Sequence, residues 1–227
     1  MISLVGAGMD GATAEDRKAE EQRRKMVAWQ IERRGIREES VLRAMREVPR
    51  HEFVPSAFRE SAHDDCALPI GFGQTVSQPY IVALTLAHLA LRPEHCVLEV
   101  GAGSGYQAAV LSRLVAQVFA IEVIDQLVVR AICDLQRLHY DNVLVRSGDG
   151  YEGWPECAPF DAIAVAAAVD HVPQPLVNQL RAGGRMVIPI GNVGAQELIL
   201  VEKGRDGTRT RALCPVRFVP FTRKADD

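Results

Sequence analysis

Short apolar runs alternate with amphipathic segments along the chain after about residue 80. The runs have the length of buried strands, and apolar positions between them recur at helical spacing. The pattern predicts helices at about 78–91, 106–114 and 124–138, and strands at 96–100, 118–122, 143–146, 162–165, 185–190, 197–202 and 216–219. Strands that alternate with helices form βαβ units, so we expect a mostly parallel sheet covered on both faces. Because no helix separates the last two strands, we expect that edge to be antiparallel.

The N-terminal part of the chain has a different pattern. From Met26 to about Phe58 apolar residues recur at helical spacing, which predicts two short helices, the second ending before Pro49. Residues 53–79 are rich in proline, glycine and small polar residues, and we expect them to form a long functional loop. Residues 1–25 have no apolar stripe and are expected to be a flexible tail, with the option that it continues into the following helix.

The tail contains the sequence GAGMDG at residues 6–11, which has the G-x-G-x-x-G spacing of dinucleotide-binding proteins. Such a fold needs an apolar helix after the glycines and a second strand that ends in an acid. A densely charged run follows here instead. We therefore interpret this match as accidental.

Composition and charge narrow the class of protein. The 227 residues include 26 basic and 29 acidic side chains, which are interleaved, so the electrostatic footprint of a nucleic-acid-binding protein is missing. No apolar run has the length of a membrane span, and we expect no membrane partner. The five cysteines are scattered and the six histidines lack metal-ligand spacing, which favours a cytoplasmic protein without disulfides or a metal site.

The most informative stretch is VLEVGAGSGY at residues 97–106, a predicted strand, glycine turn and helix start. Parallel sheets bind nucleotides at such turns. Tyr106 stands where a dinucleotide fingerprint has its third glycine, which argues against NAD. Glu99 would repel a pyrophosphate but suits a cationic amino group. S-adenosylmethionine has such an ammonium group and no phosphate, and is the cofactor that this turn favours.

Two further acids follow the next two strands. Glu122 ends the second strand, where a carboxylate can accept hydrogen bonds from ribose hydroxyls, and Asp149 follows the third, where it can meet an adenine amino group. Each has a structural alternative: Glu122 can cap the next helix, and Asp149 can shape a turn beside glycines. The three strand-end acids together favour a nucleoside site.

From Met26 to about Phe221 the chain resembles the bacterial protein-L-isoaspartate O-methyltransferase family. The glycine turn is shared by many methyltransferases, so the family is indicated by three more specific stretches. These are ALPIGFGQTVSQPY at 67–80, GDGYEGWP at 148–155 and VRFVP at 216–220, which match in order and spacing.

The resemblance implies roles for individual residues. Ser77 falls on the family's active-site serine, and residues 74–77 would form the lip between cofactor and substrate. The implied cofactor-binding residues are Gln74, Thr75, Val76, Glu99, Gly101, Gly103, Gly105, Glu122, Gly148 and Asp149. The structural alternative for Ser77 is an N-cap of the helix predicted to start near Gln78, and both roles can hold at once.

The chain departs from the family pattern at three positions that border the expected site. Ala102 and Ala166 stand where the family usually has threonine, and Asp170 stands where it usually has proline. These changes can alter affinity or peptide preference, but none removes a residue with a required chemical role.

The fold that the resemblance implies is α/β, a class I S-adenosylmethionine-dependent methyltransferase with a Rossmann-like, mostly parallel sheet, an antiparallel edge and an N-terminal helical segment. Residues 26–227 are expected to form a single domain, with N-terminal helices and substrate loop at 26–79 and the cofactor-binding core at 80–227. The implied reaction methylates the α-carboxyl of L-isoaspartyl residues in damaged peptides and proteins, gives S-adenosylhomocysteine, and initiates repair through a succinimide. We expect a monomer.

Three other functions stay open at the level of sequence. A methyltransferase of the same fold could act on a small molecule or another acid, since only the 71–79 loop argues otherwise. The changes at Ala102 and Ala166 make a non-catalytic cofactor-binding protein conceivable. An NAD oxidoreductase is disfavoured by Tyr106 and Glu99.

Overall fold

The computed structural model describes residues 13–192 and 194–223. Short π-helical and 3-10 turns link the N-terminal elements, at Val27–Ile31, Glu32–Arg34, Arg50–Phe53 and Ser56–Phe58. The helices are α1 (Ala14–Met26), α2 (Glu39–Glu47), α3 (Pro79–His88), α4 (Tyr106–Ser112), α5 (Asp125–Arg137) and α6 (Gln174–Gln179). The strands are β1 (Leu68–Gly71), β2 (Gln74–Val76), β3 (Cys96–Val100), β4 (Gln117–Glu122), β5 (Val143–Ser147), β6 (Phe160–Val165), β7 (Leu180–Asn192), β8 (Ala195–Lys203) and β9 (Thr208–Val216).

The main sheet has the strand order β5-β4-β3-β6-β7-β8-β9. Strands β5, β4, β3, β6 and β7 run parallel, and β8 and β9 pair antiparallel at one edge. Apolar side chains cover both faces of the sheet in two separate buried clusters. The predicted α/β fold, with a mostly parallel sheet and an antiparallel edge, is confirmed.

The last strand lies earlier than its apolar pattern predicts. Residues 216–219 were expected to be a strand, but β9 covers Thr208–Val216 and the chain leaves the sheet after it. Most side chains of β9 are exposed or only partly buried, because it is the edge strand. An exposed edge strand needs no apolar run, so its sequence carries little strand signal.

Helix α1 corrects part of the expected tail. Residues 1–25 were expected to be flexible, but the structure forms a helix from Ala14 that is fixed by a capping box. The Thr13 hydroxyl accepts a hydrogen bond from the Asp16 N–H, and the Asp16 carboxylate accepts one from the Thr13 N–H. Residues 1–12, including the glycine pattern at 6–11, lie outside the described residues.

The predicted loop at 53–79 contains a small β-hairpin, β1–β2. Leu68 pairs with Val76 and Pro69 with Thr75. The side chain of Ile70 is buried and reaches the glycine turn after β3, where it lies 3.3 Å from the position that a Cβ on Gly103 would occupy. The hairpin therefore carries the segment before α3 to the carboxyl ends of the parallel strands.

The order in which the chain adds strands to the sheet reverses between β3 and β6. From β3 the chain continues outward to β4 and β5, and then crosses back to β6 on the other side. A crevice opens at such a switch point beyond the carboxyl ends of the strands, and open α/β sheets bind their ligands there.

Candidate active site

The glycine turn after β3 forms the floor of this crevice. The N–H groups of Gly101 and Ala102 donate to the Ile121 carbonyl at 2.8 and 3.0 Å, which ties the turn to β4. Gly101 and Gly103 have φ values of +88° and +54°, a left-handed conformation that glycine adopts without strain. The turn thus keeps its backbone open toward the crevice.

Glu99 is a buried acid at the end of β3. One carboxylate oxygen, Oε1, accepts a hydrogen bond from Gln107 Nε2 at 3.0 Å. The other, Oε2, is buried without a hydrogen-bond partner in the part of the chain that the structure describes. Burial raises the pKa of Glu99 well above its usual range; the Gln107 hydrogen bond opposes this rise and the nearby Glu122 adds to it. A cation placed at Oε2 would restore the charged form.

Glu122 ends β4 and is held by backbone groups on both of its oxygens. Oε2 accepts from the Gly103 N–H at 2.8 Å, and Oε1 accepts from the N–H groups of Val123 and Ile124 at 2.9 and 3.0 Å. The carboxylate therefore bridges the glycine turn and the segment before α5. Its helix-capping and ligand-binding roles are compatible, because a carboxylate has about four acceptor positions.

The segment Gln74–Ser77 forms the facing wall. Gln74, Thr75, Val76 and Ser77 all line the same cavity as Glu99, Gly101, Gly103 and Glu122. Helix α3 begins at Pro79, its N-cap is Gln78, and no side chain caps it. The alternative reading of Ser77 as the N-cap is therefore wrong. The Ser77 carbonyl instead accepts a hydrogen bond from Arg50.

The remaining predicted cofactor residues stand behind the cavity wall. Gly148 donates its N–H to the Glu122 carbonyl at 3.0 Å, whereas Gly105 is the left-handed N-cap of α4. Asp149 accepts hydrogen bonds from the Tyr151 N–H and from Arg223 Nε, at 2.9 and 2.6 Å. Gly105, Gly148 and Asp149 do not line the cavity, whereas Gly150, the residue after Asp149, does.

The cavity contains about 760 Å³ of empty space when its open mouth is included. A second, open cleft of about 1090 Å³ shares part of its wall. Thr75, Ser77, Ala166 and Val219 line both. The two spaces thus meet at a shared wall that includes Ser77.

The three departures from the family pattern have different positions. Ala102 lines the cavity and Ala166 lines both spaces. The Ala166 N–H donates to the Val100 carbonyl at 2.8 Å, which fixes the chain after β6 against the glycine turn. Asp170 is exposed, next to His171, on a separate surface depression.

The sequence analysis missed the contribution of the C-terminal segment. Residues Val219–Thr222 line the cavity, because the chain turns back over the strand ends after β9. The N–H groups of Ala168 and Phe221 donate to the carbonyls of Val219 and Ala168 at 2.9 Å each. The VRFVP motif pointed to this region without indicating a role.

No group of three or more histidine, cysteine, aspartate or glutamate side chains in residues 13–192 and 194–223 is arranged to hold a metal ion. None of the helices described there has the length and apolarity of a membrane-crossing helix.

Comparison with known proteins identifies the family. The family model for protein-L-isoaspartate (D-aspartate) O-methyltransferase matches residues 21–226. Protein-L-isoaspartate O-methyltransferase 2 of Polaromonas sp. strain JS666 is 57% identical over 82% of this chain and 89% of its own length. The enzyme of Opitutus terrae is 50% identical over 99% of this chain and 95% of its own.

Solved structures agree with these relatives. One protein-L-isoaspartate O-methyltransferase superimposes with a TM-score of 0.80 and 31% identity; the match covers 87% of this chain and 65% of that one. A candidate protein-L-isoaspartate O-methyltransferase from Plasmodium falciparum, in complex with S-adenosyl-L-homocysteine, has a TM-score of 0.78 and 26% identity, covering 89% of this chain and 99% of that one. The chain belongs to the protein-L-isoaspartate (D-aspartate) O-methyltransferase family.

Proposed function

We propose that this chain transfers a methyl group from S-adenosylmethionine to the α-carboxyl of L-isoaspartyl residues in damaged peptides and proteins. The observation that carries the proposal is the meeting of two spaces at Ser77. One has the glycine turn, Glu99 and Glu122 on its wall, and the other is an open cleft. Methyl transfer requires such a junction, because donor and acceptor must be held in line.

The carboxylates in the cavity wall and the glycine turn beside them suit S-adenosylmethionine. The unpartnered Oε2 of Glu99 is suited to the ammonium group of the methionine part, and Glu122 to the ribose hydroxyls. The Glu99 carboxylate beside the glycine turn would repel the pyrophosphate of NAD. The Plasmodium falciparum relative, which is bound to S-adenosyl-L-homocysteine, supports the same ligand class for this chain.

The chain's own residues have mainly a positioning role in this reaction. When bound, S-adenosylmethionine supplies an electrophilic methyl group on a sulfonium. The acceptor carboxyl has an ordinary pKa of about 4, so it is ionised at neutral pH and needs no general base. The Ser77 hydroxyl and the neighbouring loop N–H groups would donate hydrogen bonds that turn one carboxylate oxygen toward the cavity. Alignment of this kind can lower a barrier by roughly 7 to 11 kcal/mol.

The product explains the repair function. Esterification makes the α-carbonyl a better electrophile for the amide nitrogen of the next residue, which in an isoaspartyl linkage is bonded to the β-carbonyl. Attack by this nitrogen closes a succinimide with loss of methanol. Hydrolysis of the succinimide at either carbonyl gives aspartyl or isoaspartyl peptide. Repeated cycles would convert the damaged residue to normal aspartate.

The open cleft favours an extended acceptor. Its lining includes Asp65 and Cys66 from the segment before β1 and Arg217 and Phe218 from the segment after β9. An isoaspartyl backbone, which contains one extra methylene, must enter between them to reach Ser77. We expect flexible peptides to be better acceptors than the same sequence within a folded domain.

The proposal includes a cytoplasmic monomer. All five cysteines are free, which is typical of a reducing compartment. Sedimentation equilibrium across a range of protein concentrations tests the monomer, and cell fractionation tests the location.

Product analysis tests the proposed reaction. The enzyme is incubated with labelled S-adenosylmethionine and a short peptide that contains L-isoaspartate, with the L-aspartyl peptide as the matched control. We expect a base-labile methyl ester on the isoaspartyl peptide alone, followed by succinimide and aspartyl peptide. Cofactor binding without ester on either peptide would contradict the proposal and favour another acceptor or a non-catalytic protein.

A further inference from the structure

Arg50 is a buried cation directly behind the Ser77 wall. Its side chain has no exposed surface. Nε donates to the Ala62 carbonyl at 2.8 Å, and Nη2 donates to the Ser77 carbonyl at 2.9 Å. The guanidinium thus joins the turn that starts at Arg50 to the residue on which the two binding spaces meet.

The same guanidinium also contacts the opposite wall. Its Cζ lies 4.7 Å from the centre of the Tyr106 ring, and Tyr106 is the first residue of α4 after the glycine turn. Tyr106 is fully buried and lines the cofactor cavity. Arg50 therefore touches the wall that contains Ser77 and the wall that contains the glycine turn.

Burial of the Arg50 guanidinium between the two walls is energetically costly. Within the described residues it forms no ion pair, and its third nitrogen, Nη1, has no hydrogen-bond partner. Desolvation lowers the pKa of Arg50, with the nearby Tyr106 opposing the shift. An apolar side chain of similar volume would avoid the loss of hydration, as buried charges are costly unless fully paired. Its directed contacts to Ser77 and Tyr106 are what an apolar side chain would not provide.

We propose that Arg50 is a positioning residue for methyl transfer, which fixes the Ser77 wall at the required distance from the glycine turn. The inference rests on the proposed role of Ser77 in orienting the acceptor carboxylate. Arg50 itself touches neither ligand space. Its loss should lower turnover while leaving the glycine turn, Glu99 and Glu122 able to bind cofactor.

Arg23 provides a matched control. It is also a buried arginine of the N-terminal segment, and its Nε also donates to a backbone carbonyl, that of Arg46. That carbonyl belongs to α2, and Arg23 lines neither the cofactor cavity nor the open cleft. Arg23→Met therefore reports the effect of removing a buried arginine without disturbing the Ser77 wall.

The test compares Arg50→Met, Arg50→Lys and Arg23→Met with the unmodified chain. Kinetics with an isoaspartyl peptide give kcat and KM, calorimetry gives the Kd of S-adenosylhomocysteine, and circular dichroism shows the temperature range in which each variant is folded. We expect Arg50→Met to lower kcat by about 30- to 100-fold, since a misplacement of 1 Å can cost about 100-fold. Its Kd should change less than about threefold.

Arg50→Lys should recover part of the turnover, because an ammonium can reach one carbonyl but lacks the planar fork for both. Arg23→Met should keep kcat within about threefold even if its melting temperature falls as much as that of Arg50→Met. If Arg50→Met does not fold, Arg50→Lys decides: a loss in kcat of about tenfold or more at unchanged Kd supports the inference.

Unchanged kcat in a folded Arg50 variant, or equal losses in Arg50→Met and Arg23→Met, would overturn the positioning role. Turnover by the unmodified chain in the same assay tests the proposed function separately. A defect confined to the Arg50 variants therefore concerns Arg50 alone.

Discussion

Glu99 and Ser77 line the same cavity but differ in burial and in their neighbouring space. Glu99 is buried, with one oxygen unpartnered and a raised pKa, so its charged form is disfavoured until a cation binds. Ser77 lies where the cavity meets the open cleft. The first residue is suited to holding the donor, and the second to orienting the acceptor.

Glu99→Gln should weaken cofactor binding but stabilise the unliganded protein. The amide cannot pair with the ammonium group, and we expect the Kd of S-adenosylmethionine to rise by about 10- to 100-fold, the worth of a hydrogen bond to a charged group. Calorimetric titration measures this change, and Gln107→Glu is not a suitable control because it adds a charge. Glu94→Gln, the same substitution at an exposed carboxylate that does not line the cavity, is a better one.

The stability effect of Glu99→Gln has a defined pH dependence. The pKa of Glu99 is higher in the folded protein than in the unfolded chain, so its favourable contribution is present below the unfolded value near 4.5 and is lost as pH rises toward the folded value. The free energy of unfolding of the variant should therefore exceed that of the unmodified chain by an amount that grows from pH 4.5 to neutral pH. A pH-independent difference in urea titrations would contradict the raised pKa.

Ser77→Ala should lower kcat without lowering stability. A hydrogen bond to a charged group contributes ~1.5 to 3 kcal/mol, which corresponds to about 10- to 100-fold in rate. Because α3 has no side-chain cap, the free energy of unfolding should change by less than about 0.5 kcal/mol. Steady-state kinetics and urea unfolding measure the two effects. A stability loss of about 1 kcal/mol with full activity would contradict the catalytic role and indicate that the Ser77 hydroxyl acts only on stability.

At the scale of elements, the features that depend on local sequence patterns could be predicted, whereas those that depend on long-range contacts could not. The glycine turn, Glu99 and Glu122 lie in one strand–turn–helix–strand unit, and their spacing was readable from the sequence. Helix α1 was missed because its charged face contains i,i+4 pairs such as Glu21–Lys25 and its buried residues are few. The position of β9 was missed because an edge strand can have exposed polar side chains.

The segment after β9 gives Asp149 a partner that the sequence did not indicate. Its carboxylate pairs with Arg223, 74 positions along the chain, and Arg223 also pairs with Glu152 and lies 4.1 Å from the Tyr151 ring centre. This cluster holds the C-terminal segment where Phe221 and Thr222 line the cavity. A local sequence pattern cannot predict a contact between residues that are 74 positions apart.

A double-mutant cycle separates the two roles open to Asp149. If the carboxylate acts by holding Arg223, then Asp149→Asn, Arg223→Met and the double variant should weaken cofactor binding to a similar extent, by about three- to tenfold. If Asp149 contacts the adenine amino group directly, Asp149→Asn should lose clearly more cofactor affinity than Arg223→Met. The losses of the two single variants should then add in the double variant. Calorimetry with S-adenosylhomocysteine gives each Kd, and Arg209→Met, at an exposed cation of β9 that does not line the cavity, is the control.

At the scale of the whole molecule, the site depends on how the N-terminal segment meets the sheet. The strand order places the glycine turn and Glu122 at the switch point between β3 and β6. The β1–β2 hairpin and Arg50 bring Ser77 to the same place from a segment that is not part of the main sheet. Strand alternation predicted the sheet, and family resemblance predicted Ser77, but the contact of Arg50 with both walls required the folded structure.

The central proposal is that this protein transfers methyl groups to isoaspartyl carboxylates at the place where the two spaces meet beside Ser77. The most direct test is the ratio of kcat/KM for an L-isoaspartyl peptide to that for the L-aspartyl peptide of the same sequence, measured in competition. A site built around this acceptor should give a ratio of at least about 100. A ratio near 1, or turnover only with small-molecule acids, would contradict the account.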